Sequence, residues 1–499
     1  MEQQRQDPDA LVELHCRLAD SYAGVAQLRV AWLDSMARLH MDGDDYPEAA
    51  MCNIHIAAII AECLKREAQQ HRGSGEENGL EGEKQWRDCD AIQRGSASLV
   101  PLSPNVADEN PSSGDGGSLQ EDHFTEEMFV ERIQACAVLL TQAECYELVP
   151  IVYKLLVPIY EKKKNYERLS DVYRALHNVY ARLITKTRTR LQDSYFRIAL
   201  FGLGNFDDEE WKEYVYKEPQ LTGLSEVSQR FERLYSNKFG ADNVRIIQDS
   251  NPVDIQLLDP KVAYVQITFV TPLTQNTDGV QLVEPGSRGD VRHFSFETPY
   301  TQDGRKHGSV EEQCKRKTIL TTSKSFPYIC KRIPVLSKHV VDLGPVAVAV
   351  DEMQRKLQEL RDLCLEPRVN MIQLQLKLQG SICVQVNAGP MTYARAFLQK
   401  ANASKYPALE VELLGVLFRQ FVDTCGEALE INKRLVKEDQ REYHADLTEK
   451  YKQMVQELSE ISDTMAPAVS NATDNRNSLH LYFNATEQAS GNGAAFGAL

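Results

Sequence analysis

In VYARLITKTRTRLQDSYFRIALF, residues 179–201, the spacing of apolar side chains changes midway. Val179 and Leu183 close a series with Leu169, Val172 and Leu176 that recurs every three to four residues, the period of one helix face. From Tyr195 the period is two, Tyr195-Phe196-Arg197-Ile198-Ala199-Leu200, which predicts a strand. A helical lobe over 1–189 is therefore expected to hand over to a β lobe over 190–343.

Upstream of that junction, Leu11, Leu14, Leu18 and then Ala50, Ile54, Ala57, Ala58, Ala61 keep the helical spacing. Ala49, Ala50, Ala57 and Ala58 let helix axes approach closely, as in stacked helix pairs of the tetratricopeptide kind. Three more helices follow between Phe124 and Thr185, with Ile133, Ala137, Leu140 on the first, Val152, Leu155, Leu156, Ile159 on the second, and an interruption at Asn165 before the third. Pro150 and Pro158 are expected to start or kink their helices. Between them and the first helices, residues 67–122 include GSGEENGLEGEK (73–84) and SLVPLSPNVADENPSSGDGGS (98–118), with few large apolar side chains. Such a stretch buries too little surface to offset chain entropy, so 67–122 is expected to be a disordered insert.

Downstream, Ala263–Val270, Arg292–Phe296, Lys317–Thr322 and Tyr328–Pro334 are further expected strands, with a turn at Asp303-Gly304. One helix interrupts them, Ser225–Phe239, stopped by Gly240. From 344 to 466 the spacing is helical again, over Val346–Cys364, Asn370–Gln379, Met391–Ala401, Leu409–Asn432 and Glu438–Met465, enough for a bundle. The tail 467–499 is polar and expected to be disordered. Its glycosylation patterns at Asn471 and Asn484 carry no functional reading in a cytoplasmic chain.

Composition narrows the function. The 499 residues carry a net charge of −16, with acidic groups spread along the chain, which argues against nucleic acid as a partner. No run of 18 apolar residues occurs, and residues 1–30 lack the basic-then-apolar order of a signal peptide, so no membrane segment and a soluble, cytoplasmic chain are expected. The eleven cysteines form no CxxC pair and are expected to be reduced and mostly buried. There is no GxxxxGK[ST], GxGxxG after a strand, HExxH or GxSxG. His15, His55 and His177 fall within helical repeats without clustered ligands, so no metal and no cofactor are assigned. Cys314 stands beside Lys315, Arg316 and Lys317, a setting for a reactive thiol, but has no histidine nearby in sequence. The basic trio reads either as a solvated strand entry or as an attraction for an acidic patch on a partner.

One segment is unusual: LQLKLQGSICVQVNAGPMTYARAFLQ, residues 374–399. A helix is expected to end at Gln379, break at Gly380 and restart at Pro390. Gly380, Asn387, Gly389 and Pro390 favour tight turns, yet Ile382, Val384 and Val386 between them are apolar. Either the valines fold back into the bundle, or they are held out and a partner covers them. Gln373, Leu376 and Gln379, spaced by three, share a face that either meets a partner or places Leu376 in the core and the glutamines in solvent.

Long words in the chain resemble the second DOCK homology region: EEWKEYVYKEPQLTGLSEVSQRFERLY (209–235), KFGADNVRIIQDSNPV (238–253), EEQCKRKTILTTSKSFPY (311–328), VAVDEMQRKLQEL (348–360), the 374–398 segment and LVKEDQREY (435–443). IVYKLLVPIYEKKKNYERL (151–169) and the NSLH near the C-terminus look most like the zizimin subgroup. The resemblance implies an α+β, mostly α fold: a helical array that dimerises, a lobe of two packed antiparallel sheets, and a four-helix bundle. It also implies a guanine nucleotide exchange factor that strips GDP from a Rho-family small GTPase lying across the last two lobes. The subgroup points to the GTPase called cell division control protein 42, with Rac as the alternative. By motif, Val386 falls on the family's nucleotide sensor, within a loop that includes Asn387, Ala388, Gly389 and Pro390. Gln373, Leu376, Gln379, Val384 and Tyr393 are then expected to contact the GTPase. The family's longer proteins carry an upstream lipid-binding domain of C2 type, so membrane recruitment is an expectation for the full-length protein and is not inferred for this chain.

Overall fold

Seven helices build the N-terminal part of the described chain: α1 (Pro8–Ser21), α2 (Ala26–Asp42), α3 (Tyr46–Ser74), α4 (Asp90–Arg94), α5 (Glu126–Gln142), α6 (Val149–Lys162) and α7 (Tyr166–Lys186). The computed structural model describes residues 8–74, 90–109, 124–186, 193–202, 205–206, 209–219, 221–276, 279–282, 291–304, 308–366, 369–383 and 389–461. Two units emerge, one of Met1–Phe296 with Ile319–Lys338, the other of Glu297–Thr318 with His339–Leu499.

In the first unit α3 is the central helix, packed against α2 and α5. Its Ala49, Ala50, Ala57, Ala58 and Ala61 are fully buried, as their small size permits where axes come close. Tyr46–Gln69 is long and apolar enough to cross a membrane, but 89% of that window is buried, so it is a core helix of the lobe. Thr125 caps α5, its hydroxyl accepting the Met128 N–H at 3.3 Å. Pro150 lies in the first turn of α6 and Pro158 inside it.

The expected disorder of 67–122 is corrected in two places. Residues 67–74 extend α3, and residues 90–109 pack into the lobe as α4 followed by two short 3₁₀ turns, Gly95–Ser98 and Pro104–Asp108. Ile92, Leu99, Leu102 and Val106 are almost completely buried. Gly95 has φ +61°, and a Cβ there would lie 2.3 Å from Glu62 Oε1, so the position requires glycine. Glu62 Oε1 in turn accepts from the Ser96 amide and hydroxyl, both at 2.9 Å. Glu109 closes the strap: it accepts from Arg29 Nε at 2.6 Å and Nη2 at 2.7 Å, with His55 Nδ1 at 2.8 Å. Burial pushes the Glu109 carboxyl up, but the His55 and Arg29 contacts outweigh it and hold it at about 2. Four well-placed apolar side chains and one buried ion pair thus order a stretch whose average composition suggests none.

The β lobe contains β1 (Ser194–Phe201), β2 (Glu213–Glu218), β3 (Val244–Ile247), β4 (Ala263–Asn276), β5 (Gly279–Leu282), β6 (Val291–Thr301), β7 (Gln313–Phe326) and β8 (Arg332–Leu343), with α8 (Leu224–Phe239) between β2 and β3. The strands run β1-β2-β8-β7-β6-β4, and β1 pairs again with β4, closing a ring. β4 is shared between the sheet holding β1 and the sheet holding β5 and β6, while β3 joins it in parallel. β1 is buried on both faces. Phe196, Ile198 and Leu200 pack with Phe231 and Tyr235 of α8, and Tyr195 packs on Phe294 and Phe326. Arg197 is tolerated inside because Glu213 takes both its Nε and Nη2, at 2.7 and 2.6 Å. Gly240, at φ +89°, ends α8 as expected, its amide donating to Ser236 O at 2.9 Å.

A strand was expected over Tyr328–Pro334, but β8 starts only at Arg332. Tyr328, Ile329 and Cys330 leave the ladder to bury in the helical lobe's core, where the Ile329 carbonyl lies 2.8 Å from His40 Nε2. Tertiary burial has overridden the local β pattern.

The second unit holds α9 (Pro345–Leu365), α10 (Met371–Ile382), α11 (Pro390–Tyr393), a π-helical turn Ala394–Leu398, α12 (Lys400–Ala403), α13 (Ala408–Leu435) and α14 (Arg441–Ile461). Its core includes Met353, Leu357, Leu374, Leu378, Phe397, Phe418, Phe421 and Met454. α10 does not break at Gly380. A glycine there is open on all sides, and one more turn buries Ile382, so the helix runs on and stops before Cys383. The tail after Pro467 lies outside the described residues.

Candidate functional site

Helix α10 begins at a capping asparagine: Asn370 Oδ1 accepts the amides of Ile372 at 3.1 Å and Gln373 at 3.4 Å. Leu374, Gln375, Leu378, Ser381 and Ile382 face inward. Gln373, Leu376 and Gln379 share the opposite, exposed face, so Leu376 is not a core residue; it is 63% exposed. Ile372, at 62%, stands one turn before it and extends the apolar patch. Its signal was present in the sequence, since it sits four residues before Leu376 on the same face.

The described chain pauses at Cys383 and resumes at Gly389, so Val384, Val386, Asn387 and Ala388 lie outside the described residues. Gly389 has φ +109°, and Pro390 occupies the first turn of α11, as its fixed φ favours. Beside these two ends opens a cleft of about 440 Å³, lined by Glu352, Lys356 and Leu360 of α9, Leu376 and Ser381 of α10, and Gly389 and Tyr393.

Tyr393 is buried, and its hydroxyl donates a short hydrogen bond to Glu352. Burial, reinforced by that carboxylate, pushes the phenol well above its ordinary range. Glu352 also accepts from Lys315 Nζ at 2.9 Å, and Lys315 reaches Glu297 at 3.3 Å. Burial works to raise the Glu352 carboxyl, but Tyr393 and Lys315 together bring it below the usual value. Glu352 carries no sequence signal, because it lies on an ordinary polar position of α9.

The other sequence candidates resolve as structure. Lys315 and Arg316 are held in ion pairs, the latter bidentate to Asp342 at 2.7 and 2.9 Å, and Cys314 is buried. His15 packs edge-on against Trp32, His55 serves Glu109, and His177 is exposed. Among the described residues no group of three His, Cys, Asp or Glu side chains could hold a metal ion. The cysteines described are free thiols, mostly buried.

Family models for the three lobes of the DHR-2 region match this chain, lobe A over residues 13–185, lobe B over 250–325 and lobe C over 359–461. The chain belongs to the DOCK family. Among curated relatives of this DOCK chain, dedicator of cytokinesis protein 9 of Mus musculus is 45% identical over 478 residues, covering 92% of the chain and 22% of that protein. The Homo sapiens protein 9 is 46% identical over 479 residues, covering 92% and 23%. Homo sapiens dedicator of cytokinesis protein 8 is 35% identical over 474 residues, covering 94% and 22%. The chain thus spans less than a quarter of these relatives, and the higher identity to protein 9 agrees with the zizimin subgroup. The lobe C match takes in α10, both ends of the loop and the cleft's lining from Leu360 onward, while Glu352 and Lys356 precede it.

Proposed function

We propose that this chain is a guanine nucleotide exchange factor for a Rho-family small GTPase of the cell division control protein 42 type, and that it releases GDP without covalent chemistry. The observation that carries the reading is the outer face of α10. Ile372 and Leu376 are held in water on that face, Leu376 lining the cleft beside the ends of a valine-bearing loop, where solvent exposure of such side chains is unfavourable until a partner covers them.

In this reading the GTPase seats on Gln373, Leu376 and Gln379, and Val386 enters its metal site. Magnesium requires near-ideal oxygen coordination and neutralises the nucleotide phosphates. A valine methyl offers no ligand, so the ion leaves and GDP loses the charge that holds it. GTP arriving with its own magnesium displaces the valine and, by linkage, loosens the exchange factor. The magnesium belongs to the GTPase; the chain needs no cofactor of its own.

A homodimer through the helical lobe accompanies this reading, acting in the cytoplasm. Its support is α7, where Tyr166, Tyr173, Tyr180 and Ile184 lie at intervals of seven, seven and four and are all exposed, forming one apolar stripe that none of the described residues covers.

The test is release of fluorescent GDP from a panel of purified Rho-family GTPases. Acceleration strongest for the cell division control type is expected; acceleration of Rac alone would reassign the partner. Tight complexes without acceleration of any member would make the chain a scaffold.

A further inference from the structure

The C-terminal end of the loop rests on very little backbone. α11 is four residues long, Pro390–Tyr393, and the chain passes directly into the π-helical turn Ala394–Leu398. A single helical turn has no stability of its own, because nucleation fixes several residues for one or two hydrogen bonds. Here the bonds that tie it to the loop's end are the Thr392 and Tyr393 amides donating to the Gly389 carbonyl, at 3.1 and 3.4 Å, and the Ala394 amide donates onward to the Pro390 and Met391 carbonyls. Whatever fixes Tyr393 therefore fixes Gly389, the first described residue after the loop.

Beside the burial of Pro390 and Met391, two side-chain contacts of Tyr393 do so. The Tyr393 ring stacks on Phe397 at 6.4 Å, with the planes 16° apart. Its hydroxyl donates to Glu352, which Lys315 holds from β7 at 2.9 Å. Lys315 is itself braced by Glu297 at 3.3 Å, and Glu297 accepts from Arg355 at 3.1 Å. The chain of contacts runs from β6 and β7 through α9 to the loop, all within the second unit.

We propose that Tyr393 is a positioning residue for nucleotide release, its hydroxyl fixing the loop's C-terminal end through Glu352 and Lys315. This rests on the exchange reading and assigns Tyr393 a place behind the loop rather than on the GTPase. A group held this way fixes Gly389 and the start of α11, and so acts on the release step rather than on encounter.

The experiment measures GDP release against GTPase concentration for the whole chain, wild type, Tyr393→Phe and Glu352→Gln, together with amide hydrogen exchange of each chain alone. Tyr393→Phe keeps the ring stack and removes only the hydroxyl. It is expected to lower kcat about tenfold, the scale of a lost charge-assisted hydrogen bond, with KM within about twofold. It should also speed exchange at Thr392 and Tyr393→Phe's own amide while leaving α13 protected. Glu352→Gln keeps an oxygen for the phenol but removes the charge that assists that bond and holds Lys315, so it should lower kcat as well, by a smaller factor than Tyr393→Phe. An unchanged kcat in Tyr393→Phe overturns the proposal, as does a rise in KM alone, which would place the hydroxyl on the GTPase. Failure of the wild type to accelerate release overturns the exchange reading, and the positioning role with it, and is distinguished by that control.

Discussion

Residues 90–109 and residues 370–382 both mix polar with apolar residues, but they dispose of their apolar side chains in opposite ways. The first buries Ile92, Leu99, Leu102 and Val106 and neutralises Glu109 inside the helical lobe. The second buries Leu374 and Leu378 but turns Ile372 and Leu376 outward, on a helix that the rest of the bundle holds firmly. An apolar residue on a polar segment is therefore informative only with its face known. Inward, it orders the segment; outward on a rigid support, it leaves apolar surface in water, and on α10 that is the surface on which the proposed GTPase would seat.

The contrast can be broken most forcefully at Leu99. Leu99→Ala is expected to destabilise the first unit by about 4 kcal/mol, as removal of a fully buried leucine does. Denaturant unfolding checks this, and a cost below about 1 kcal/mol would mean that the strap is not packed. Acid tests the same strap more gently. Glu109 is depressed in the folded state to about 2 from an ordinary 4.5, so its contribution is complete above that ordinary value and is lost as pH falls towards 2. The loss is on the order of 3 kcal/mol, and Glu109→Gln should flatten that part of the stability profile. On the outward side, Leu376→Asp is expected to raise KM for the GTPase about thirtyfold, close to 2 kcal/mol, while leaving stability within about 0.5 kcal/mol. A large loss of stability from Leu376→Asp would show that this leucine is core after all and erase the distinction.

Much of the architecture could be read from spacing alone. The alanines of α3, the change of period at Tyr195 and the glycine stop at Gly240 each follow from local geometry that a sequence states directly. The strap was not legible because its order depends on partners far away in the chain: Glu62, Arg29 and His55 lie well outside the stretch they stabilise. Tyr328–Cys330 misled for the same reason, since the core they fill belongs to another lobe. At the candidate site, the three-residue spacing of Gln373, Leu376 and Gln379 was visible, but which face of α10 it occupied was not. The fixing of Tyr393 by Glu352 and Lys315 was invisible, because nothing in a polar helix position announces a contact across three elements.

The central claim is that an apolar side chain displaces the metal of the bound GTPase. Single-turnover release of fluorescent GDP from a cell division control type GTPase, comparing wild type with Val386→Ala at matched magnesium, tests it most directly. Val386→Ala is predicted to bind the GTPase as the wild type does but to lose most of the acceleration, and with it the ability to lower the GTPase's affinity for magnesium. Equal release rates for the two chains would contradict it.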